Sequence, residues 1–359
     1  MIFGRRYELG SQNHALSERR PAGAVLPRSR RRSETRPKSR PPTERPSDTV
    51  IRFPEPPFFF PTFCPTMKVS VVIPVRNDPS GIDATLRSVM EQDHPDYEVI
   101  PVDNHSTDET PEAIRAWARK YPDHVRPAAE HDVQSSYAAR NAGIEAARGA
   151  ILVFIDADMT APPDWLEKVE AAFSTSEADY LGYEVEVYGP EGAESFWGWY
   201  DTVMGLPSRY YYDEKQFVPT SCLAVRHAVF EQVGRFDETA ISGGDKEFGQ
   251  RVHHHPDLAT DFRSDIKVFH PARTTFEAHR AKALRVGRGL ARLCDPSTAP
   301  KDSRSVRREL LLHIAPPDPR RVARRARHIP LHQFPALYIA DWTLRYLRLY
   351  GALTYFLNK

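Results

Sequence analysis

The sequence predicts an α/β fold in which helices cover a mostly parallel sheet. From residue 67 onward, short apolar runs alternate with segments of helical spacing, and such repeated β-α-β units imply parallel strands. The clearest strand is the five-residue apolar run Ile151 to Ile155, which is typical of a strand buried on both faces. Asp156 and Asp158 follow it, at the carboxyl edge where open α/β sheets bind ligands.

The preceding elements follow from the same patterns. Ile82, Leu86 and Val89 recur at helical spacing, and the runs before and after them are short and rich in β-branched residues. The expected elements, in order, are a strand at 69–73 stopped by Pro74, a helix at 82–90, a strand at 97–102 ending at Asp103, a helix capped by Ser106 or Thr107, and an alanine-rich helix at 135–148.

The spacing of Asp156 and Asp158 favours a cation site. Side chains two residues apart on an extended segment point the same way, so both carboxylates can face one hard cation. The chain lacks both glycine-rich loops that cradle phosphates, and a bound diphosphate would therefore need such a counter-charge. The alternative is an ordinary acidic turn after a strand.

Charge is unevenly distributed along the chain. The net charge is +7 over residues 1–66, −14 over 67–300 and +8 over 301–359. The acidic body argues against nucleic acid as a partner. Residues 1–66 carry 11 of the 32 prolines and no apolar periodicity, which predicts either a disordered basic extension or a region upstream of a true start at Met67. The three scattered cysteines indicate reduced thiols in the cytoplasm.

Seven motifs carry a resemblance that covers roughly residues 67–290. They occur in the order Val69–Asn77, Val102–Thr110, Ala139–Gly143, Asp156–Asp158, Leu223–Asp237, Gly243–Gly249 and Val268–Pro271. This ordered set resembles the family 2 glycosyltransferases, which have the GT-A fold. The resemblance implies an inverting enzyme that takes a sugar from a UDP-, dTDP- or GDP-sugar and passes it to a glycan or a lipid-linked acceptor.

The resemblance also implies a nucleotide pocket. Pro74, Val75 and Arg76 would line it, and Asp103 would contact the base. Asp103 can equally be a turn aspartate that hydrogen-bonds its own backbone. Arg140 would meet ribose or phosphate, since a guanidinium suits paired oxygens; the alternative is a solvated arginine on a helix face.

The cofactor implied is Mn²⁺ or Mg²⁺, because the candidate ligands are hard oxygens. Asp158 is expected to bind the metal directly, with Asp156 nearer the ribose or a metal-bound water. His270 matches a position where related enzymes bring in an imidazole, although a histidine before proline is otherwise a plain structural residue. The run His253–His255 is expected to end a helix rather than to bind a metal.

Asp245 is the expected general base for the acceptor hydroxyl. It opens a helical stretch after Gly243 and Gly244, with its carboxylate expected to be free of steric cover; the alternative is that it caps the helix. The family pattern here is often Glu-Asp, and this chain has Gly-Asp. Two other functions stay open: a nucleotidyltransferase that makes sugar nucleotides, and a non-catalytic homologue that binds them. The segment 75–81 lacks the basic glycine-rich loop of the first, and the retained aspartates argue against the second.

Two further regions concern the acceptor and the membrane. Aromatic residues between 180 and 220 form either a sugar platform or a packed helix face. Residues 291–359 are expected to be a basic and amphipathic helical region. Within 304–357, an arginine-rich stretch precedes an apolar helix that Asp341, Arg345 and Arg348 interrupt, so a simple spanning helix is not expected. This region is either an anchor on anionic lipid at the inner face of the cell membrane or a helix packed on the catalytic domain or a partner.

Overall fold

The computed structural model describes residues 69–189, 194–294, 315–327 and 329–357. The predicted extension at 1–66 and the arginines at 304, 307 and 308 lie outside these residues. The strands are β1 Val69–Val75, β2 Tyr97–Asp103, β3 Ala128–Ala129, β4 Ile151–Phe154, β5 Tyr180–Tyr188, β6 Leu223–Arg226 and β7 Thr260–Pro271. The helices are α1 Pro79–Val89, α2 Thr110–Lys120, α3 Ser136–Ala146, α4 Trp165–Thr175, α5 Phe196–Met204, α6 Ser208–Lys215, α7 His227–Val233, α8 Gly244–His253, α9 Phe276–Cys294, α10 Pro319–Arg325 and α11 Phe334–Leu357.

The seven strands form one sheet in the order β3-β2-β1-β4-β6-β5-β7. Every neighbouring pair is parallel except those that involve β6, which is antiparallel to β4 and β5. The prediction of a mostly parallel α/β sheet is therefore confirmed. Strands β1, β2 and β4 are buried along their whole length, as their apolar runs require. The chain moves outward from β1 to β2 and β3 and then returns to place β4 on the other side of β1, and such a reversal opens a crevice at the carboxyl edge.

The first strand continues past Pro74, contrary to the expectation that it stops there. Pro74 pairs with Val102 and Val75 with Asp103, while pairing with β4 ends at Val72 and Phe154. Val72 accepts a hydrogen bond from Ile155 on the β4 side, and Pro74 faces the same side two residues later. Because β4 has already ended there, the missing N–H of Pro74 costs the sheet no hydrogen bond.

The helix after β2 begins later than expected. α2 starts at Thr110, where the backbone N–H bonds Asp108 Oδ1 at 3.0 Å. Ser106 Oγ instead accepts from Asn77 N at 3.0 Å, and Thr107 N donates to Asn77 Oδ1 at 2.8 Å. The two residues expected to cap the helix thus join the loops that follow β1 and β2.

The alanine-rich helix α3 is confirmed, and it packs closely on the sheet. Ser135 caps it by accepting from Tyr137 N at 3.2 Å. Gly143 lies against β1, because a Cβ there would come within 2.3 Å of Val72 Cγ1. Asn141 exchanges two hydrogen bonds with the backbone of Phe236, at 2.9 and 3.1 Å, and so ties α3 to the loop before α8.

The C-terminal helices α9 and α11 pack against each other at a glycine crossing. A Cβ on Gly287 would lie 1.9 Å from Arg348 O, and one on Gly351 would lie 2.4 Å from Leu284 O. α9 also runs across the expected domain boundary at residue 290, and the division of the chain into domains stays a prediction. Among the described helices, none is long and apolar enough to cross a lipid bilayer.

The aromatic segment before residue 220 is largely packed. Tyr200 and Met204 of α5 are buried in an apolar cluster, separate from the main core around the sheet, together with Leu337 and Leu344 of α11. Tyr200 also donates to Asp341 Oδ1 at 3.2 Å, whereas Phe196 at the start of α5 is 42% exposed. Of the two interpretations of the aromatic residues, packing accounts for the inner face of α5.

We predict that Gly287→Ala destabilises the protein by about 1–3 kcal/mol, because the new methyl group meets backbone that cannot turn aside. Thermal denaturation measures the change. Gly189→Ala is the matched control, since a Cβ at Gly189 meets nothing within 4 Å, and we expect it to stay within about 0.5 kcal/mol of the parent. Equal melting temperatures for the two variants would show that the α9–α11 crossing is loose.

Candidate active site

The predicted site residues meet at the carboxyl edge of β1, β2 and β4. Val75 and Asp103 are register partners at the ends of β1 and β2, and Asp156 lies two residues beyond β4. Pro74 and Val75 are buried within the strand end, whereas Arg76 is exposed. The geometry thus brings the expected nucleotide-pocket residues together beside the crevice between β1 and β4.

Asp103 takes part in a turn. It is 7% exposed, and its Oδ1 accepts the N–H of Ser106 at 3.3 Å. The turn interaction that was the alternative to base contact is therefore present. Contact with a nucleotide base stays a prediction for this residue.

Arg140 is buried and paired rather than solvated. Its Nη2 donates to Asp156 Oδ1 at 2.6 Å and its Nη1 to Ser136 O at 3.2 Å, and the residue is only 4% exposed. The alternative of a solvated arginine on a helix face is wrong. The guanidinium also lies over the Tyr137 ring, with 5.6 Å between Cζ and the ring centroid. Its Nε is buried and has no hydrogen-bond partner among the described residues.

Asp158 and His270 come together through a long-range bridge. Thr160, just beyond Asp158, exchanges two backbone hydrogen bonds with Phe269 of β7, at 3.0 and 2.8 Å. This places Asp158 Oδ2 3.7 Å from His270 Nε2. Strand β7 enters the sheet next to β5, far from β4 in sequence, so only the folded chain joins these two residues.

The contacts of His270 fix its tautomer. Arg273 Nη2 lies 3.3 Å from Nε2 and can only donate, so Nε2 is the acceptor. Nδ1 therefore carries the proton and donates it to Pro271 O at 2.6 Å. A backbone carbonyl that holds one ring nitrogen protonated is the usual support of a metal-binding histidine. His270 thus has a lone pair on the nitrogen that faces Asp158.

The two aspartates have different surroundings. Burial and the neighbouring Asp156 hold the pKa of Asp158 above its ordinary value. Oδ1 of Asp156 is already bonded to Arg140, and a role of Asp156 at the metal stays a prediction. The described part of the chain contains no group of three or more His, Cys, Asp or Glu side chains arranged as metal ligands. Asp158 and His270 nevertheless fit Mg²⁺ or Mn²⁺, because such ions are commonly held by one or two protein ligands and substrate phosphates. The histidines at 253–255 end α8.

Asp245 lies in the first turn of α8 and does not cap it. The N-cap is Gly243, whose φ of 88° is the left-handed conformation that favours glycine. Gly244 next to it lets the Tyr137 ring approach, because a Cβ there would lie 2.9 Å from Tyr137 Cζ. The interpretation of Asp245 as a helix cap is wrong.

The Asp245 carboxylate is half-buried, not free of cover as expected. Tyr137 Oη donates to its Oδ1 at 3.2 Å, and Lys246 N donates to the same oxygen at 3.0 Å. Burial raises the pKa of Asp245, and the Lys246 amide, the charge of Arg140 and the Tyr137 hydroxyl lower it, in that order. A carboxyl with a raised pKa is a stronger proton acceptor once ionised, which suits a general base.

The sequence patterns missed three residues of this site. Tyr137 lies two residues before the recognised Ala139–Gly143 motif, and its bond to Asp245 depends on α3 meeting α8. Arg273 lies two residues after Pro271, and it bonds Asp201 of α5 at 3.3 Å. No local sequence pattern pairs Tyr137 with Asp245 or Arg273 with Asp201. The position of Tyr137 and Arg273 next to recognised motifs is a weak signal.

Comparison with known proteins reveals related sequences. A family model described as glycosyl transferase family 2 matches residues 70–234. Glycosyltransferase AglE of Haloferax volcanii is 37% identical over 229 residues, which cover 62% of this chain and 72% of that protein. The validoxylamine A glucosyltransferase of Streptomyces hygroscopicus subsp. jinggangensis is 29% identical over 246 residues, covering 59% of this chain and 57% of that one.

A solved structure has the same fold. The mannosyltransferase PcManGT from Pyrobaculum calidifontis, in complex with GDP-Man and Mn²⁺, matches with a TM-score of 0.56. The match covers 81% of this chain and 88% of that protein at 20% identity. The sheet and its helices are therefore a GT-A fold, as predicted.

We predict that Tyr137→Phe raises the pKa of Asp245 further, because it removes a hydrogen bond to the charged carboxylate. Carboxyl ¹³C NMR titration measures the value in both proteins. In the parent, the midpoint is expected above the ordinary carboxyl range. Tyr121→Phe, which changes the tyrosine directly after α2, is the matched control and should leave the Asp245 titration unchanged. A Tyr137→Phe titration that overlays that of the parent would contradict the assigned contact.

Proposed function

The chain belongs to glycosyltransferase family 2, and on that premise we propose that it transfers a sugar with inversion, in a metal-dependent reaction with Asp245 as the general base. It is a glycosyltransferase that uses nucleotide-sugar donors. The observation that carries the finer proposal is the meeting of Asp158, His270, Arg140 and Asp245 at one edge of the sheet. The acceptor proposed is a hydroxyl of a glycan or a lipid-linked glycan.

Inversion follows from one displacement at the anomeric carbon. The acceptor oxygen forms a bond to that carbon while its proton passes to a carboxylate oxygen of Asp245. The bond from the carbon to the diphosphate breaks, and its electron pair leaves with the phosphate oxygen. Tyr137 keeps the Asp245 carboxylate oriented by its 3.2 Å hydrogen bond, and Arg140 fixes Asp156 by its 2.6 Å hydrogen bond.

A divalent cation would be held by Asp158 and by Nε2 of His270. When bound, it supplies Lewis-acid stabilisation of the negative charge that develops on the departing diphosphate. Support comes from the PcManGT structure, which holds Mn²⁺ together with GDP-Man, and from the tautomer that His270 adopts here. We propose Mn²⁺ or Mg²⁺, and a UDP-, dTDP- or GDP-sugar as the donor.

The loop after β1 argues against the nucleotidyltransferase alternative. Asp78 caps α1 by accepting from Gly81 N at 2.8 Å, so the chain passes directly from strand to helix. No basic glycine-rich loop lies between them to bind a triphosphate. The retained Asp158 and Asp245 favour catalysis over a binding-only role.

A donor screen tests the proposal. We expect at least one nucleotide sugar to release nucleoside diphosphate in the presence of acceptor and Mn²⁺, with chelation abolishing turnover. Asp245→Asn and Asp158→Ala should each lower kcat by about 100-fold or more, since each removes a principal catalytic contribution. Asp265→Asn, an exposed carboxylate on β7 paired with Arg263, is the control and should keep full activity. Full metal-free turnover, or full activity of Asp245→Asn, would refute the mechanism.

We further propose that α11 contacts the membrane surface at the inner face of the cell membrane. One face of the helix exposes a continuous stripe at helical spacing: Ile339, Thr343, Tyr346, Tyr350, Leu353 and Leu357. The opposite face packs on α5 and α9, so α11 combines both sequence interpretations of this region. An apolar, tyrosine-rich stripe is suited to the lipid headgroup boundary, and the exposed Arg320 and Arg324 of α10 favour anionic lipid.

Vesicle sedimentation tests this contact. We expect binding to phosphatidylcholine vesicles that contain phosphatidylglycerol and weaker binding at high salt. The double variant Tyr350→Ser/Leu353→Ser should weaken binding by about tenfold or more, because it removes two large apolar side chains. Ile241→Ser changes an exposed apolar residue outside α11, and it should bind like the parent. If the double variant binds vesicles as tightly as the parent, the stripe is ruled out as the membrane contact.

A further inference from the structure

Arg273 brings a permanent positive charge to the Asp158–His270 pair. It follows β7 directly, and its Nη2 lies 3.3 Å from His270 Nε2. Its charge is also one of those that lower the pKa of Asp158. Arg273 has no part in the displacement described above, yet it contacts one candidate metal ligand, His270, and its charge acts on the other, Asp158.

Asp201 fixes one side of Arg273. The Arg273 backbone N–H donates to Asp201 Oδ2 at 2.8 Å, and Nη1 lies 3.3 Å from the same oxygen. Asp201 is only 2% exposed, and the Arg273 carbonyl accepts from His279 Nε2 at 3.0 Å. The backbone and one arm of the guanidinium are therefore anchored, while the other arm faces His270.

Arg273 and a metal ion compete for the same lone pair. In the neutral imidazole, Nε2 of His270 has a single lone pair, since Nδ1 carries the proton. Arg273 uses that lone pair now, and a divalent cation on His270 would need it. The freed Nη2 would then require a new acceptor. A diphosphate oxygen is the acceptor that arrives with the donor, and a guanidinium matches phosphate oxygens well.

Positive charge is also in excess around Arg273. Lys282 of α9 lies nearby, and burial together with the charge of Arg273 lowers the pKa of Lys282 to about 7. Arg348 of α11 and Arg285 lower it further, and Asp201 of α5 is the carboxylate that raises it. Three arginines (Arg273, Arg285 and Arg348) therefore lie around two carboxylates (Asp201 and Asp158), and the surplus positive charge attracts an anion.

We propose that Arg273 is a phosphate-binding residue of the donor site, which bonds His270 in the metal-free protein and turns to a diphosphate oxygen when donor and metal are present. This rests on the proposed function, because it requires the donor diphosphate to lie at Asp158 and His270. Asp201 is the positioning residue that keeps the guanidinium within reach of both acceptors.

Calorimetric titrations of the full chain test the proposal. The probes are UDP, dTDP and GDP, each with and without Mn²⁺, and Mn²⁺ alone. We expect Arg273→Gln to weaken binding of the nucleoside diphosphate that the parent binds by about 10- to 100-fold, the loss of a charged hydrogen bond. The same variant should bind Mn²⁺ alone several-fold more tightly, because it removes a cation that competes for His270. Arg273→Lys keeps the charge and loses the planar guanidinium. Its affinities for nucleoside diphosphate and for Mn²⁺ should fall between those of the parent and those of Arg273→Gln.

Controls separate a binding role from a structural one. Arg280→Gln removes an exposed arginine from α9 and should leave both affinities unchanged. Equal nucleotide binding by Arg273→Gln and the parent would overturn the proposal. A parallel loss of nucleotide and Mn²⁺ affinity would also overturn it, since Arg273 would then only support His270. If the parent binds none of the three nucleoside diphosphates with Mn²⁺, the proposed function fails as well, whereas a failure confined to the Arg273 variants leaves that function intact.

Discussion

The buried charge of Arg140 constrains the whole catalytic edge. A guanidinium that is 4% exposed must be neutralised, and Asp156 supplies the carboxylate at 2.6 Å. The same charge lowers the pKa of Asp245 and lies over the ring of Tyr137. One cation thus fixes the end of β4, the start of α3 and the first turn of α8 with respect to each other. Displacing it would deprive the Asp156 and Asp245 carboxylates of this counter-charge.

Asp156 and Asp158 consequently differ in the partners that their side chains meet, which their spacing alone does not determine. Asp156 points to Arg140, while Asp158 points to His270, at 3.7 Å. The proposed cation site therefore consists of one aspartate and one histidine, and Arg273 contacts that histidine. Protein cations therefore flank the place where the diphosphate is proposed to lie, which is consistent with the absence of a glycine-rich phosphate loop.

The C-terminal helices are linked to this edge by packed contacts. α11 packs on α9 at Gly287 and Gly351, and Asp341 accepts a hydrogen bond from Tyr200 of α5. The next residue of α5, Asp201, holds Arg273. The helix that exposes the apolar stripe is thus joined to the candidate metal pair by three successive contacts, from Asp341 to Tyr200, from Asp201 to Arg273 and from Arg273 to His270.

The sequence by itself determined the sheet, the order of its first elements and the position of Asp103, Asp156 and Asp158 at strand ends. Those features depend on local periodicity, because a buried strand needs a run of apolar residues and a helix needs 3.6-residue spacing. The prediction from sequence that β1 stops at Pro74 was wrong. Only the strand register shows that the neighbouring strand β4 ends before Pro74, so that β1 can continue. Likewise, only the tertiary structure decided that Thr160 bridges to Phe269, that Tyr137 reaches Asp245 and that Asp201 anchors Arg273. Each of these contacts joins residues separated by 72 to 109 positions, and no local pattern encodes such a pair, because its energy appears only when the core is packed.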